Sequence, residues 1–517
     1  MNLNAIIAFV LVIYFVGSSV ATHFLRKRYA RSVANRAVIQ AEELLSTGGR
    51  IKLSPKEEKV NDLLMEHKLD ELSQGYRNPD TNAAGMHFFK AKKLMERSKI
   101  FKFLRQMPKG AILHAHNAAT VSSEWVVRNI SYMPGLLRCT NKEGVSVLSF
   151  RRMPKEHGCE TQYVRVNDER FRSISSAAYD RSFEKLINLQ TPLPEIEYPT
   201  IATVWMKFQD MFNTMSDVLR YIPAFRAYHW QMLEEMYDDN IMYAEIRMDF
   251  KELYDTSGHT FASERSVNEM LYIIERFRRQ HPNFLGIKAI YSTHRNVDHS
   301  KLREQFERFK QLHLAYPNFI VGFDLVGQED KGKPLYNFIE ALADLPKSAR
   351  YFFHAGETNW YGASTDFNLL DAILLNTTRI GHGYALMKHP VLWNAVKTRD
   401  IAIEVSPISN QVLHLVWDLR NHPGAFFMSQ NLPMVICNDD PGYWNAKGLS
   451  YDFYYAIMSL APNNAGLKTL KNLVWSSIRY SVLNALEQKL AFESLERAWD
   501  HFLDDNAKKK QFQKLRK

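Results

Sequence analysis

The runs YFFHAGE (351–357), RIGHGY (379–384) and IAIEVS (401–406) lie close together in the C-terminal half of the chain. Each run is rich in Phe, Tyr, Ile or Val and lacks a strong polar face, as expected for a parallel strand covered on both sides. Roughly 20 residues separate one run from the next, which leaves room for one crossover helix. This stretch therefore predicts successive strand–helix units of an α/β fold.

The same pattern continues on both sides of this stretch. Further apolar runs of this kind lie at Ala111–His116, Ile241–Asp249, Leu285–Ser292, Phe319–Val326 and Met434–Asp439. Eight strand-then-helix units predict a TIM (β/α)8 barrel, to which we assign residues 106–517. About 120 residues separate the first run from the second, too many for one crossover, so we predict an insert at 129–195.

The composition is that of an ordinary globular protein. Of 517 residues, 46% are hydrophobic and 24% are charged, which excludes a disordered chain, a coiled coil and a collagen-like rod. The net charge of +10 is spread over the whole length without a basic stripe or a nucleic-acid-binding module. We therefore expect no nucleic acid partner.

The N-terminus has the features of a secretory signal. Ala5–Phe15 is uninterrupted apolar sequence, and Ser19-Val20-Ala21 fits the small-x-small cleavage rule, so we assign residues 1–21 to a cleaved signal peptide. Because residues 1–4 carry no Lys or Arg, a retained signal anchor is the alternative. The chain is expected to be secreted and extracellular.

Cysteine and asparagine positions agree with secretion. A bridge between Cys139 and Cys159 would close a polar loop, which an oxidising compartment permits. Cys437, in an apolar run, is expected to be a buried free thiol. Glycosylation sequons start at Asn129 (NIS) and Asn376 (NTT).

Imidazoles and carboxylates collect at the ends of four predicted strands. The residues are His114 and His116, His354 and Glu357, His382, and Asp439 and Asp440. The active site of a TIM barrel lies at the carboxyl ends of its strands, and a purely structural strand end has no need of such groups. His114 and His116 point to the same side, because strand side chains alternate.

This set of groups suits a hydrolytic zinc site. Imidazole and carboxylate ligands match zinc, and the absence of cysteine excludes a closed structural cysteine site. Zinc lowers the pKa of its water toward 7, and a nearby His or Asp can orient that water and take its proton. A separate carboxyl group, kept protonated, can donate a proton to a leaving group or ring nitrogen.

The motifs resemble the secreted adenosine deaminases, also called adenosine deaminase-related growth factors, of the amidohydrolase superfamily. The resemblance extends over nearly the whole chain after the leader. It is carried by MPKGAILHAHN (107–117), YAEIR (243–247), GFDLVGQED (322–330), YFFHAGET (351–358), LNTTRIGHGYAL (375–386), IEVSPISNQVL (403–413) and NDDPGYWNAKGLSYDFY (438–454). It implies conversion of adenosine or deoxyadenosine to inosine or deoxyinosine with release of ammonia.

The resemblance also implies a role for each matching residue. One Zn²⁺ per subunit would be held by His114, His116, His354 and Asp439. Glu357 resembles the acid that protonates the purine, and His382 with Asp440 resembles the pair that positions and activates the water. The implied substrate contacts are Asn117, Trp205, Gly327, Gln328, Gly356 and Asp440.

Two of these contacts depart from the family pattern. Asn117 replaces the usual Asp after H-x-H, and Gln328 replaces a common His after the fourth-strand Gly. Both side chains still donate and accept hydrogen bonds. A poorly paired pocket group costs on the order of 1–3 kcal/mol, so affinity or sugar preference is expected to shift.

The resemblance further implies a homodimer formed through an N-terminal helical region at 22–105, and a receptor-binding role for the 129–195 insert, pinned by a Cys139–Cys159 bridge. The basic ends, Arg26–Arg31 and Lys508–Lys517, would adhere to anionic glycans or to cell surfaces if they are more than solvated termini. Two alternatives to an active deaminase stay open: a catalytically weak growth factor or nucleoside-binding protein on the same fold, and an amidohydrolase for another amine or amide.

Overall fold

The computed structural model describes residues 33–152 and 159–516, so the predicted signal peptide and the basic stretch at 26–31 lie outside the described residues. The strands are β1 (Gly110–Ile112), β2 (Leu137–Thr140), β3 (Ser146–Ser149), β4 (Val164–Arg165), β5 (Ile241–Met248), β6 (Leu253–Tyr254), β7 (Thr260–Phe261), β8 (Gly286–His294), β9 (Ile320–Val326), β10 (Arg350–Tyr351), β11 (His354–Ala355), β12 (Arg379–His382), β13 (Ala402–Val405) and β14 (Met434–Ile436).

The α-helices alternate with the barrel strands and extend the chain at both ends. They are α1 (Val33–Leu45), α2 (Pro55–Arg77), α3 (Phe88–Arg97), α4 (Lys99–Gln106), α5 (Ser123–Arg128), α6 (Val166–Arg172), α7 (Ser176–Glu184), α8 (Pro194–Glu197), α9 (Ile201–Met215), α10 (Ile222–Asp238), α11 (Ser263–Gln280), α12 (His299–Ala315), α13 (Ile339–Ala343), α14 (Asp366–Leu374), α15 (Pro390–Thr398), α16 (Pro407–Val412), α17 (Gly424–Ser429), α18 (Ser450–Tyr455), α19 (Leu467–Arg479) and α20 (Ala485–Arg516).

The parallel strands form two runs, β1-β5-β8-β9-β10 and β11-β12-β13-β14. Two backbone bonds join the runs, because the N–H of Phe352 donates to Phe323 and the N–H of Gly381 donates to Phe353. The opposite edges meet where Ala115 pairs with Asp439 in a parallel bridge. The ring is therefore closed, and the predicted TIM barrel is confirmed.

Each predicted barrel strand has a counterpart, although several are shorter than predicted, and the eighth ends at Ile436 rather than Asp439. The first strand is regular only at Gly110–Ile112, although predicted to reach His116, and beyond it two isolated bridges, Ala115 to Asp439 and His116 to Arg247, continue the pairing. The fifth strand, predicted over 351–357, is divided into β10 and β11. The first and fifth strands are irregular where they contain the histidines of the predicted site. The alternation of side chains along a strand does not predict such breaks.

The chain between β1 and β5 contains a small subdomain within the predicted insert. Its three antiparallel strands have the order β3-β2-β4. A disulfide joins Cys139 and Cys159, whose Cα atoms are 5.9 Å apart, and Cys437 is a buried free cysteine. The disulfide ties the end of β2 to the chain that leads into β4.

The N-terminal helices pack against the C-terminal ones. The helix α2 starts with a capping box between Ser54 and Glu57. The Glu57 carboxylate also accepts hydrogen bonds from Trp499 of α20 (3.1 Å) and Lys471 of α19 (2.6 Å). Within residues 33–152 and 159–516, no helix has the length and apolar character needed to cross a bilayer.

Candidate active site

A cavity of about 590 Å³ opens at the carboxyl ends of the barrel strands. His116, His354, Glu357, Asp439 and Asp440 all line it. These residues come from predicted strand ends far apart in sequence, which the closed barrel brings together. The cavity thus lies where a TIM barrel places its active site.

Four buried groups at the base of this cavity converge on one point. The ligand atoms of His114, His354, His382 and Asp439 all lie within 4.8 Å of one another. The Asp439 carboxylate is 3.1 Å from Nε2 of His114 and 3.2 Å from Nε2 of His116. All the predicted ligands therefore lie together, and His382 lies beside them.

Several of these atoms have no hydrogen-bond partner among the described residues. They are Nε2 of His114, both ring nitrogens of His382 and Oδ1 of Asp439, and all are buried. Buried polar atoms are nearly always satisfied, so this group of unsatisfied atoms indicates a ligand-binding site. Imidazole nitrogens with a carboxylate oxygen are a donor set that fits zinc.

Carboxylates behind the cluster orient two of the histidines. Nδ1 of His114 is 2.7 Å from Glu404, and Nδ1 of His354 is 2.7 Å from Asp324. Each contact occupies one ring nitrogen and leaves Nε2 for a metal, as outer partners do at metal sites. The carboxylate of Asp439 is held in turn by the hydroxyl of Ser409 at 2.7 Å.

Two buried arginines connect these carboxylates below the cluster. Arg247 lies 2.6 Å from Glu404 and 3.1 Å from Asp324. Arg379 lies 2.6 Å from Glu404 and 2.7 Å from Glu245. We call Glu245, Arg247, Asp324, Arg379 and Glu404 the barrel floor, and all five are buried.

The backbone at Asp439 is in the left-handed region, with φ of 57°. A non-glycine residue adopts this conformation at some energetic cost and keeps it only where its surroundings impose it. Here the carbonyl of Asp439 accepts from the N–H of His116, and its own N–H donates to His114. The strained turn fixes the carboxylate between the two histidines.

Two carboxyl groups of the site favour their protonated forms. Burial raises the pKa of Glu357 well above its usual range, and the nearby Asp439 charge raises it further. The same two causes raise the pKa of Asp440. Glu357 is held in place through its backbone N–H, which donates to Glu329 at 2.6 Å. A buried neutral carboxyl group beside a cluster of potential metal ligands can act as a proton donor.

The predicted substrate contacts fall into two groups. Asn117, Trp205, Gly327 and Asp440 line the cavity. Among the described residues, those that line the cavity do not include Gly356 or Gln328. Gly327 has φ of 99°, and a Cβ there would lie 2.3 Å from His294, so a side chain is excluded at this point of the wall.

Comparison with known proteins identifies the family. Residues 188–497 match the adenosine deaminase family model, and residues 8–104 match the adenosine/AMP deaminase N-terminal model. The chain belongs to the adenosine deaminase family. It is 43% identical to adenosine deaminase 2 of Pongo abelii over 90% of this chain and 92% of the relative. It is 42% identical to adenosine deaminase 2 of Homo sapiens over the same shares. Adenosine deaminase of Aedes albopictus is 37% identical over 90% of this chain and 86% of the relative.

Solved structures share the fold at low identity. The Arabidopsis protein ADAL, complexed with GMP, matches with a TM-score of 0.54 and 16% identity, over 77% of this chain and 98% of that chain. An amidohydrolase from Burkholderia ambifaria with bound Zn matches with a TM-score of 0.52 and 16% identity, over 79% of this chain and 94% of that chain. These likenesses show that this adenosine deaminase family member shares its barrel fold with the two proteins.

Sequence reasoning assigned no role to several residues that support the site. Arg247, Asp324, Glu329 and Glu404 lie within the family motifs YAEIR, GFDLVGQED and IEVS. Their signal was a charged residue in, or directly after, an apolar strand. Such a residue needs a buried partner.

Proposed function

We propose that the protein is a secreted, zinc-dependent adenosine deaminase that converts adenosine or deoxyadenosine and water to inosine or deoxyinosine and ammonia. The relatives named adenosine deaminase support the substrate. The observation that carries the proposal is the cluster of orphaned imidazole and carboxylate atoms beside a carboxyl group with a raised pKa. This combination serves hydrolysis at a carbon that bears an amine.

His114, His116, His354 and Asp439 would hold one zinc per chain. When bound, zinc supplies Lewis-acid activation of the attacking water. His382 lies 3.6 Å from both Asp439 and Glu357, within reach of a water between them. Burial lowers the pKa of His382 well below its usual range, so its ring is neutral and free to accept a proton. Asp440, next to Asp439, would help to orient the same water.

Glu357 would give its proton to a purine ring nitrogen, which makes C6 more electrophilic. The water oxygen then bonds to C6 and its proton passes to the neutral imidazole of His382. That proton leaves with the amino group as ammonia. The ring nitrogen keeps the proton from Glu357, and the second water proton, on the C6 oxygen, passes to the Glu357 carboxylate as the C6 carbonyl forms. Each of these transfers uses a group already in the required protonation state.

The decisive experiment measures ammonia release from adenosine by the purified protein, with zinc content determined in parallel. Wild type should turn over with one zinc per chain. Glu357→Gln should lose activity and keep zinc, and His354→Ala should lose both. Glu340→Gln, on the exposed face of α13, is the matched control and should behave as wild type. A wild type that holds zinc but leaves adenosine and deoxyadenosine unchanged would favour the catalytically weak growth factor or nucleoside-binding protein.

Secretion is supported by two features besides the apolar leader. The Cys139–Cys159 bridge suits an oxidising compartment, and both sequon residues, Asn129 and Asn376, are exposed. Sequencing of the secreted chain should give Thr22 at the N-terminus, and glycosidase treatment should lower its mass. Residues 1–21 still present on a membrane-bound product would indicate a retained anchor.

The remaining interactions stay predictions: a homodimer through 22–105, growth-factor activity through receptor binding by the 129–195 insert, and glycan adhesion by Lys508–Lys517. The glycan prediction is the most direct to test. Retention on heparin should be weakened by salt and abolished by deletion of residues 508–517. Retention that survives the deletion would exclude the tail as the binding element.

A further inference from the structure

A buried histidine contacts a predicted substrate residue from behind the cavity wall. His229 lies on α10 and is fully buried. Its Nδ1 is 2.8 Å from the carbonyl oxygen of Phe225, one turn earlier, and its Nε2 is 3.4 Å from Nδ2 of Asn117. Asn117 follows the predicted ligand His116 and lines the cavity.

The protonation of His229 follows from these two contacts. A backbone carbonyl can only accept a hydrogen bond, so Nδ1 of His229 carries the proton. Burial lowers the pKa of His229 to about 4, so the ring is neutral at physiological pH. The other nitrogen, Nε2, therefore presents a lone pair, and the atom of Asn117 that faces it must be the amide donor Nδ2.

We propose that His229 is a positioning residue that locks the Asn117 amide with Oδ1 toward the cavity, where this oxygen accepts a hydrogen bond from a sugar hydroxyl of the substrate. No partner for Oδ1 is found among the described residues, and Asn117 lines the cavity whereas His229 does not. The inference rests on the proposed function, because it assigns a specificity contact for a nucleoside.

The same geometry accounts for asparagine at a position where the family pattern has aspartate. A carboxylate at position 117 has no hydrogen to offer. Its oxygen would face the lone pair of His229 Nε2, and the repulsion could be relieved only by moving the carboxylate or by protonating a deeply buried ring. Asn117 and His229 thus form a matched pair.

The first test compares adenosine with 2′-, 3′- and 5′-deoxyadenosine. In wild type, one of these analogues should show kcat/KM at least tenfold lower than adenosine, because a hydrogen bond to Asn117 is lost. In Asn117→Ala, kcat/KM for adenosine should fall by a similar factor, mainly through a higher KM. For the analogue that wild type discriminates against, kcat/KM should fall little further. If every analogue is discriminated equally by wild type and Asn117→Ala, the inference is wrong.

The second test separates positioning from mere packing. His229→Leu removes the acceptor for Nδ2 and should abolish the discrimination. His229→Gln can offer an amide oxygen to Nδ2 and should restore it to within about threefold of wild type. Zinc content should stay at that of wild type in both variants. Discrimination that survives in His229→Leu would overturn the inference.

A third variant keeps the inference testable if neither His229 variant folds. Asn117→Asp changes only a side chain in the cavity wall and should raise KM for adenosine at least tenfold. An unchanged KM would contradict the proposed pairing. Failure of the proposed function looks different, since wild type itself would then deaminate none of the four nucleosides.

Discussion

The barrel floor and the cluster above it both consist of buried charged or polar side chains, but they differ in whether those side chains have partners. On the floor, every charged side chain meets an opposite charge, at distances between 2.6 and 3.1 Å. In the cluster of His114, His354, His382 and Asp439, ring nitrogens and a carboxylate oxygen lack hydrogen-bond partners. Both regions are buried, so burial alone does not explain the difference.

This difference indicates that the floor supports the site and that the cluster binds a ligand. Buried charges are tolerated when they are paired, and every floor group faces an opposite charge. This includes Oε2 of Glu245, which lacks a hydrogen bond but lies 2.7 Å from Arg379. The cluster is complete only when something else supplies the missing partners. The floor also contacts the cluster directly, because Glu404 and Asp324 each hold one histidine. The floor therefore fixes where the unsatisfied atoms point.

Removal of the central floor arginine should have the largest effect. Arg247→Met leaves Glu404 and Asp324 without this partner and should lower the free energy of unfolding by about 3–5 kcal/mol. Urea unfolding of the metal-free protein measures the change. Arg279→Met breaks an exposed pair with Glu275 and should have little effect. Equal losses in the two variants would mean that the floor does not stabilise the barrel.

Metal binding should supply the partners that the cluster atoms lack and should therefore stabilise the folded protein. Free zinc at a hundredfold excess over its Kd should raise the free energy of unfolding by about 2.7 kcal/mol, because it binds only the folded state. Thermal unfolding with zinc or with a chelator measures the gain. His354→Ala removes a ligand and should abolish most of it. If zinc and the chelator give the same Tm, the cluster does not bind zinc.

One floor carboxylate can be weakened without a change in volume. Asp324→Asn keeps the shape of the side chain but removes the charge that orients His354, so zinc affinity should fall about 10- to 100-fold. Competition with a chromophoric chelator measures this affinity. Asp344→Asn, in an exposed pair with Lys310, is the matched control and should leave the affinity unchanged. An affinity as high in Asp324→Asn as in wild type would show that the contact is not needed.

The cluster could be predicted from the sequence, but the floor could not. His114, His354 and Asp439 lie at the ends of apolar runs, and the barrel rule places such ends together. Arg247 and Glu404 lie 157 residues apart, and neither strand indicates that the other contains its partner. Charge pairing across a barrel depends on register and closure, which local periodicity does not encode.

The insert shows the same limit at another scale. Its sequence around Cys139 and Cys159 is polar and irregular, yet β2, β3 and β4 form a sheet there, with β3 between the two cysteines and β4 after them. Short strands of two to four residues give too few positions for an alternation to be recognised. The barrel strands were recognisable because they are buried on both faces and continuously apolar.

A buried charge outside both regions gives the smallest predicted effect. Lys68 of α2 is fully buried, and its ammonium group donates to the carbonyl oxygens of Pro462 and Ala465 at 2.9 Å, with no carboxylate partner among the described residues. Burial lowers the pKa of Lys68 from 10.5 to about 7. Between these two values the unfolded chain binds more protons than the folded one, so stability due to Lys68 rises with pH.

Wild type should therefore gain on the order of 1 kcal/mol of unfolding free energy relative to Lys68→Met between pH 7 and 8. Urea unfolding of both proteins at the two pH values measures the gain, and the subtraction cancels titrations that the proteins share. Lys52→Met, at an exposed position, should show no such difference from wild type. A pH-independent difference between wild type and Lys68→Met would mean that Lys68 does not titrate in this range. The two carbonyl oxygens would then stabilise the charged Lys68 ammonium group as well as the carboxylates stabilise Arg247.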